Sequence, residues 1–195
     1  MTLELVPYPN PGALADSSGD GAWDVGLIGA EPARAKVIGF SRPYAEIEAT
    51  YLVPPGSTLF SAASVDAAGV RIATSRRSAY ELWLSANIKN AEVVLTDEPG
   101  PERSWELFLE KKLDALSGLR PWLDTKAKER PAYTVLPDRF TSIQQAIGVP
   151  RAGDAAACDA AVAFLDEFVA TAKSSGLVAR LLAKHGVAEK LSVAQ

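Results

Sequence analysis

The sequence predicts an α/β fold divided between two lobes, and three observations indicate it. Short β-branched and aliphatic runs alternate with segments of helical periodicity, which is typical of a parallel-rich sheet flanked by crossover helices. Two longer extended segments, 45–53 and 142–149, join regions of different composition and therefore predict two crossings between lobes. The chain has 195 residues, of which 48% are hydrophobic, so each lobe can bury a modest core.

The two crossings set the expected domain boundaries. Residues 1–52 and 141–195 are predicted to form a discontinuous first lobe, and residues 53–140 a second lobe. The Pro-Pro-Gly run at 54–56 ends the first extended segment, because proline and glycine interrupt a strand.

The amino-terminal part of the first lobe is predicted to contain two strands. Leu3–Tyr8 is the first, ended by nearby prolines, and the apolar run Trp23–Ile28 is the second. Between them, Ala13–Ala22 is polar and glycine-rich and predicts a weak helix or a loop.

The carboxyl-terminal part of the first lobe is predicted to be helical. A helix begins at Gly153–Asp154 with Cys158 on its apolar face, where a small buried side chain is expected. Ser175 is expected to cap a final helix that ends at Gly186, because glycine suits a left-handed cap. The tail after Val187 is predicted to fray.

The second lobe shows the alternating pattern most clearly. Ser78 and Ser104 are expected to cap helices, because serine side chains accept hydrogen bonds at helix starts. The predicted strands are 70–73, 93–95, 113–116 and 133–136.

Composition excludes several classes of function. The net charge is −4 and the basic residues are dispersed, which argues against nucleic acid as a partner. A single cysteine and a single histidine argue against an internal disulfide and a zinc site, and we expect no metal and no cofactor. No apolar run reaches the roughly 20 residues of a membrane span, and the first five residues lack the pattern of a signal peptide.

The stretch 29–44 carries the strongest functional signal. Arg34 follows the predicted strand at 23–28, where it would stand at the carboxyl edge of the sheet, the edge at which open α/β sheets bind ligands. Its guanidinium suits bidentate capture of a carboxylate or a phosphate. An arginine at such a position is more often a solvated helix residue than a ligand contact. The sequence Phe40-Ser41-Arg42-Pro43-Tyr44 that follows makes ligand binding the favoured interpretation of Arg34.

Together with Asp24, this motif resembles the signature of the extracytoplasmic solute-binding proteins of ABC transporters, in the amino-acid-binding-like family with the type II periplasmic-binding-protein fold. The resemblance implies that the family's usual amino-terminal segment is missing, which would leave the first lobe truncated. It also implies a periplasmic location. Because the chain shows no signal peptide, we expect a cytoplasmic location if Met1 is the natural start.

The resemblance also implies a ligand site in the cleft between the lobes. Arg34 would hold a ligand carboxylate, and Ser78 with the amide of Ala79 would donate to the same anion from a helix start. Arg77 replaces the family's glycine and adds a second cation. Leu119 stands where amino-acid binders place an aspartate for the ligand ammonium, so we expect a small organic acid rather than an amino acid.

Glu31 occupies the position of the family's threonine and has three possible roles. It could neutralise Arg34, recognise a cationic ligand group, or point to solvent. Pairing or solvent is favoured, because a glutamate at a helix start also complements the helix dipole.

The leading hypothesis is a non-enzymatic solute-binding protein for a small anionic or carboxylate-bearing solute, with an ABC permease as partner and no catalytic residues. The alternatives are a dehydratase-like enzyme on the same fold, and a cytoplasmic ligand sensor or non-transport remnant. Because a truncated first lobe would leave strand edges and an apolar face uncovered, we also expect a homodimer formed through that lobe.

Overall fold

The computed structural model describes residues 2–195 and divides into two compact units. Unit 1 comprises Met1–Glu46 and Gln144–Gln195, and unit 2 comprises Ile47–Ile143. The chain passes from one unit to the other twice, each time within a long strand.

Helices and strands alternate along most of the chain. In order they are Pro11–Asp16 (α1), Gly26–Gly29 (β1), Ile38–Phe40 (β2), Ala45–Val53 (β3), Ala62–Val65 (α2), Arg71–Thr74 (β4), Ala79–Asn87 (α3), Glu92–Leu95 (β5), Pro101–Glu110 (α4), Ala115–Leu119 (β6), Arg120–Glu129 (α5), Thr134–Val135 (β7), Thr141–Pro150 (β8), Ala155–Ser174 (α6), Leu177–Lys184 (α7) and Ser192–Val193 (β9). This arrangement confirms the predicted α/β class.

Unit 1 is built on antiparallel pairs. Strands β1 and β2 both pair with β8, and β9 pairs with the first residues of β3. One small cluster of buried side chains lies at their centre: Ala15, Trp23, Ile28 and Ile38.

Both ends of the chain differ from the sequence prediction. The predicted strand Leu3–Tyr8 is wrong, because residues 2–8 form no regular structure; Pro7, which has no N–H, cannot donate to a ladder there. The predicted fraying after Val187 is also wrong. Strand β9 pairs with β3, Ala194 is buried, and the Lys173 ammonium donates to the carbonyl of Gln195 at 3.2 Å.

The helices α6 and α7 are both present as predicted, but the expected cap of α7 at Ser175 is wrong. Cys158 is buried, as expected from its helix face. Helix α7 is capped at its start by Gly176 in a left-handed conformation, with φ of 70°, so Ser175 instead ends α6. Gly186, with φ of 64°, follows α7 as predicted.

Unit 2 contains the parallel part of the sheet. Strand β4 lies between β5 and β6 and is parallel to both, while β3 runs antiparallel to β6 and β7. Each face of these strands is covered by a buried apolar cluster, one that includes Leu84 of α3 and one that includes Trp105 and Phe108 of α4. The carboxyl end of β4 leads directly into α3.

Two helices of unit 2 differ from the prediction. Helix α4 begins at Pro101 after Gly100, three residues before the expected cap, and the Ser104 hydroxyl donates to the Pro101 carbonyl at 2.7 Å. Helix α5 was not predicted, although it contains Pro121 in its first turn. Proline is tolerated in the first turn of a helix, where its missing N–H has no helical partner.

Candidate functional site

Arg34 is buried at the carboxyl end of β1 in unit 1. It begins a single turn of 3₁₀-helix, and only 5% of the residue is exposed. Its Nη1 donates to the carbonyl oxygen of Gly29, the last residue of β1, at 2.9 Å. This bond fixes the guanidinium at the strand end, where a polar group of the protein can meet a ligand.

Glu31 precedes this turn and is electrostatically coupled to Arg34. Burial raises the pKa of the Glu31 carboxyl above its ordinary value, and the positive charge of Arg34 partly opposes that shift. The backbone carbonyl of Glu31 accepts hydrogen bonds from the amides of Arg34 and Ala35, at 2.9 and 3.0 Å. Glu31 therefore shapes the turn and places a partly desolvated carboxyl near the guanidinium.

The motif Phe40-Ser41-Arg42-Pro43-Tyr44 attaches this segment to strand β8. The Ser41 amide donates to the Ile147 carbonyl at 2.9 Å, and the Ile147 amide donates back to Ser41 Oγ at 3.2 Å. The Tyr44 amide donates to the Gln145 carbonyl at 2.9 Å. The motif thus holds the Arg34 turn in place through its backbone.

Two contacts with α6 complete this attachment. Arg42 binds Asp166 through its backbone amide and its guanidinium, which lowers the pKa of the Asp166 carboxyl. The Lys173 ammonium donates to the Pro43 carbonyl at 3.2 Å. Sequence analysis did not identify these partners, because they lie more than 120 residues further along the chain.

Ser78 and Ala79 begin helix α3 in unit 2, as the sequence predicts. The Ser78 Oγ accepts the amide hydrogen of Glu81 at 3.0 Å, which is the usual bond of an amino-terminal cap. Ala79 is the first helical residue and is buried. A helix start of this kind presents amide donors and a partial positive charge.

Arg77 precedes the cap with a backbone φ of 64°. This left-handed conformation favours glycine, the residue that the family pattern has here. The Arg77 amide donates to Glu81 Oε2 at 2.9 Å, and Ser85 Oγ donates to Glu81 Oε1 at 2.8 Å. Glu81 is buried, so a carboxylate of the protein itself stands at the start of α3.

Several hydroxyl groups gather at this end of unit 2, and sequence analysis missed them. Ser75 Oγ accepts the Gly100 amide at 2.8 Å. Burial raises the pKa of the Tyr80 hydroxyl, while its hydrogen bonds with Ser78 and Ser75 act in the opposite direction. Among the described residues, Thr74 has the one fully buried side-chain polar atom that lacks a hydrogen-bond partner, its Oγ1.

Leu119 ends β6 and contributes to an apolar cluster. It pairs with Ala49 across the strands and packs against a cluster that contains Ala79 and Tyr80 of α3. Arg120, the next residue, forms an ion pair with Glu48. Its Nε donates to Glu48 Oε2 at 2.6 Å. Position 119 therefore places an uncharged side chain against the cluster that includes the first two residues of α3.

The structure brings the sequence-predicted residues together within each unit. In unit 1 the charge of Arg34 acts on the Glu31 carboxyl, and in unit 2 Leu119 packs against the cluster that contains Ala79, the first residue of α3. In residues 2–195 no three His, Cys, Asp or Glu side chains gather as metal ligands. None of the helices in that range is long and apolar enough to cross a membrane.

Comparisons with known proteins identify the fold. No protein-family model and no curated protein sequence matches the chain. Solved structures do match. The amino acid ABC transporter substrate-binding protein AbpA from Streptococcus pneumoniae, bound to L-arginine, is 20% identical with a TM-score of 0.67, over 93% of this chain and 75% of its own.

Two further matches have the same fold and different roles. The ligand-binding core of GluR0 in complex with L-glutamate is 20% identical with a TM-score of 0.70, over 93% of this chain and 80% of its own. The ancestral amino acid-binding protein AncCDT-1, a precursor of cyclohexadienyl dehydratase, is 19% identical with a TM-score of 0.65, over 93% and 76%. The chain therefore has the type II periplasmic-binding-protein fold.

Proposed function

We propose that this protein is the solute-binding component of an ABC transporter and that it captures a small carboxylate-bearing solute. The observation that carries the proposal is the buried guanidinium of Arg34, held by Gly29 at the end of β1. Arginine has five N–H donors in a planar fork that matches a carboxylate. A buried arginine beside the carboxyl end of a strand is well placed to bind an anionic group.

Unit 2 contributes a second set of ligand contacts in this proposal. The amide of Ala79 and the cap residue Ser78 supply donors at the start of α3, and Arg77 supplies a positive charge. Leu119 presents an uncharged surface to the same helix start. A ligand ammonium would lose hydration without gaining a counter-charge from position 119, so we favour organic acids over amino acids.

The fold supports a solute-binding role. The ligands in the similar solved structures indicate which other class of ligand must be tested. AbpA is bound to L-arginine and the GluR0 core to L-glutamate, so amino acids are the alternative that any test must include. A permease is the expected partner, and an extracytoplasmic location follows from the proposed role. A ligand sensor that acts without a permease would bind the same solutes.

The direct test is a thermal-shift screen with matched pairs of ligands. Propionate is compared with L-alanine, and succinate with L-aspartate, because the members of each pair differ only by the ammonium group. A ligand that binds the native state raises the unfolding temperature, so organic acids should stabilise the protein more than their amino-acid partners. Stabilisation by amino acids alone would reject the organic-acid preference and retain solute binding. Stabilisation by neither class would reject the proposed function.

A dehydratase is the second candidate, and the raised pKa of Glu31 is the observation that favours it. A carboxyl whose pKa is raised by burial is suited to act as a general acid, and Glu31 lies near a guanidinium that could hold a carboxylate substrate. AncCDT-1 is a precursor of cyclohexadienyl dehydratase, and this similarity also favours an enzymatic role. Turnover of prephenate-like substrates by the purified protein, lost in Glu31→Gln, would establish the enzyme.

We also propose a homodimer formed through unit 1. Most large apolar side chains that are exposed in residues 2–195 belong to this unit, among them Leu5, Leu27 and Phe164. Monomers rarely leave extensive apolar surface uncovered. Light scattering coupled to gel filtration should give about twice the chain mass of 20.7 kDa, and a clean monomer would reject the dimer.

A further inference from the structure

We propose that helix α6 is the contact surface between two copies of this chain and that the two α6 helices pack antiparallel. The proposal rests on the homodimer proposed above for unit 1, and it is independent of solute binding. Its contact residues form the α6 stripe, which we define as Ala157, Ala161, Phe164 and Phe168. The stripe carries two small side chains towards the start of the helix and two large ones towards its end.

The α6 stripe is distinct from the face by which α6 packs on its own unit. The buried residues of α6 are Cys158, Val169 and Ala172. With about 3.6 residues per turn, the stripe lies about a quarter of a turn from them around the helix axis. Phe164 is 70% exposed and Phe168 is 52% exposed. The core of unit 1 therefore leaves a second apolar face of this helix uncovered.

The spacing of large and small side chains makes this face complementary to itself. The two phenylalanines of the stripe are four residues apart, and so are its two alanines. When a second α6 runs in the opposite direction, the partner's Ala161 can lie opposite Phe164. The equal spacing then brings the partner's Ala157 opposite Phe168. Each contact occurs twice about a two-fold axis, so the surface closes on a single second copy.

The charges of α6 are compatible with this register. Glu167 lies beside the phenylalanines, and the register brings it level with the partner's Ala157 and the partner's Ala160, which are uncharged. Asp159 and Asp166 lie on the opposite side of the helix, where each is paired with an arginine of unit 1. The antiparallel direction also brings the positive start of each helix near the negative end of the other.

The exposed area of the phenylalanines sets the expected strength of the dimer. An aromatic side chain buries on the order of 150–250 Å², so at their exposed fractions the two phenylalanines of one copy can still bury about 200–300 Å². Those of both copies bury about twice that area, whereas a specific interface buries about 1,200–2,000 Å² in total. The alanines and the polar edges of α6 must supply the rest. We therefore expect a weak dimer whose population depends on protein concentration.

Glutamate substitutions at exposed positions test the surface and its register. Phe168→Glu places a charge directly in the proposed contact. Ala157→Glu changes a small side chain about three turns away on the same helix, where the register places the partner's Phe168. Ala163→Glu is the matched control, because Ala163 is exposed on α6 but lies away from the stripe. Leu27→Glu is the control for the rest of unit 1, because Leu27 is an exposed apolar residue of β1.

Analytical ultracentrifugation of the full chain over about a hundredfold range of concentration measures the dissociation constant of the dimer. Phe168→Glu and Ala157→Glu should each raise that constant by about tenfold or more, because each places an unpaired charge in an apolar contact. Ala163→Glu and Leu27→Glu should leave it unchanged. Thermal unfolding verifies that each variant is folded, and the shift produced by succinate in the same samples reports solute binding separately.

Unchanged dimerisation in a folded Phe168→Glu protein overturns the proposal, while a homodimer through another surface of unit 1 stands. Dissociation by Leu27→Glu and not by Phe168→Glu overturns it as well, and places the contact at β1. Dissociation by Phe168→Glu with no effect of Ala157→Glu overturns the antiparallel register. If Phe168→Glu does not fold, the result for Ala157→Glu decides. A wild type that stays monomeric throughout overturns the proposal together with the homodimer, whether or not succinate binds.

Discussion

Units 1 and 2 share an α/β composition but differ in how much of their apolar surface they bury. Unit 2 contains three apolar clusters around its parallel strands, with Leu52, Ile72 and Leu84 fully buried. Among the described residues of unit 1, one cluster of four buried side chains is present. Large exposed apolar side chains, such as Leu27, are concentrated in unit 1 among the described residues.

This difference indicates how the two units contribute to stability and to binding. Burial of apolar surface is the dominant favourable term in folding, so unit 2 is expected to be the more stable one. Unit 1 instead depends on specific polar contacts, such as Arg42 with Asp166, to hold the segment that carries Arg34. Proteins often draw their ligand-binding segments from regions of lower local stability.

The largest expected effect comes from matched leucine truncations in the two units. Leu84→Ala in unit 2 removes a fully buried side chain and should lower the free energy of unfolding by about 2–5 kcal/mol. Leu27→Ala in unit 1 removes a side chain that is 69% exposed and should change it by less than about 0.5 kcal/mol. Chemical denaturation of both variants measures the difference. Equal costs would show that the two leucines are buried alike.

A smaller effect, this time a gain in stability, is expected when Thr74 is replaced. Thr74→Val removes a buried hydroxyl without a partner and should raise the free energy of unfolding by about 1 kcal/mol. Thr50→Val is the control, because Thr50 Oγ1 is also buried but donates to the Asp138 carbonyl at 2.6 Å. That variant should lose about 1 kcal/mol. Thermal and chemical unfolding measure the stability of both variants. A loss of stability in Thr74→Val would mean that the Thr74 hydroxyl has a hydrogen-bond partner.

The smallest effect concerns the pH dependence contributed by Glu31. Its pKa is raised in the folded state, so the folded protein holds this proton more tightly than the unfolded chain does. The contribution of Glu31 to stability is therefore greatest below its unfolded pKa and declines as the pH rises through the folded pKa. Glu31→Gln should remove this decline when unfolding is followed from about pH 4 to about pH 7. An identical pH profile in the variant would contradict the raised pKa.

Much of unit 2 could be predicted from the sequence because its signals are local. The cap at Ser78 and the strands around it depend on residue type and spacing within a few residues. The ends of unit 1 could not be predicted, because the pairing of β9 with β3 joins segments about 150 residues apart. The strand expected at Leu3–Tyr8 was inferred from a short apolar run, but these residues pair with no neighbouring strand.

The candidate site was predictable only in part, for a related reason. The motif around Ser41 identified Arg34, and the structure adds that Arg34 is buried and bonded to Gly29. Glu81 stands three residues after Ser78, which is the spacing of a helix capping box, but its burial and its bond to the Arg77 amide were not predicted, and the unpartnered Thr74 hydroxyl has no sequence signature. Their significance comes from burial and side-chain direction, which depend on the whole unit.

The most direct test of the account is the affinity of Arg34→Ala for the organic acid that stabilises the wild type most in the thermal-shift screen. Removal of charged hydrogen bonds should cost about 1.5–3 kcal/mol of binding free energy, which is roughly a tenfold to 150-fold loss of affinity. Lys36→Ala is the control from the same turn, since Lys36 is an exposed cation. We predict wild-type affinity for Lys36→Ala and the full loss for Arg34→Ala. Wild-type affinity in a folded Arg34→Ala protein would contradict the account.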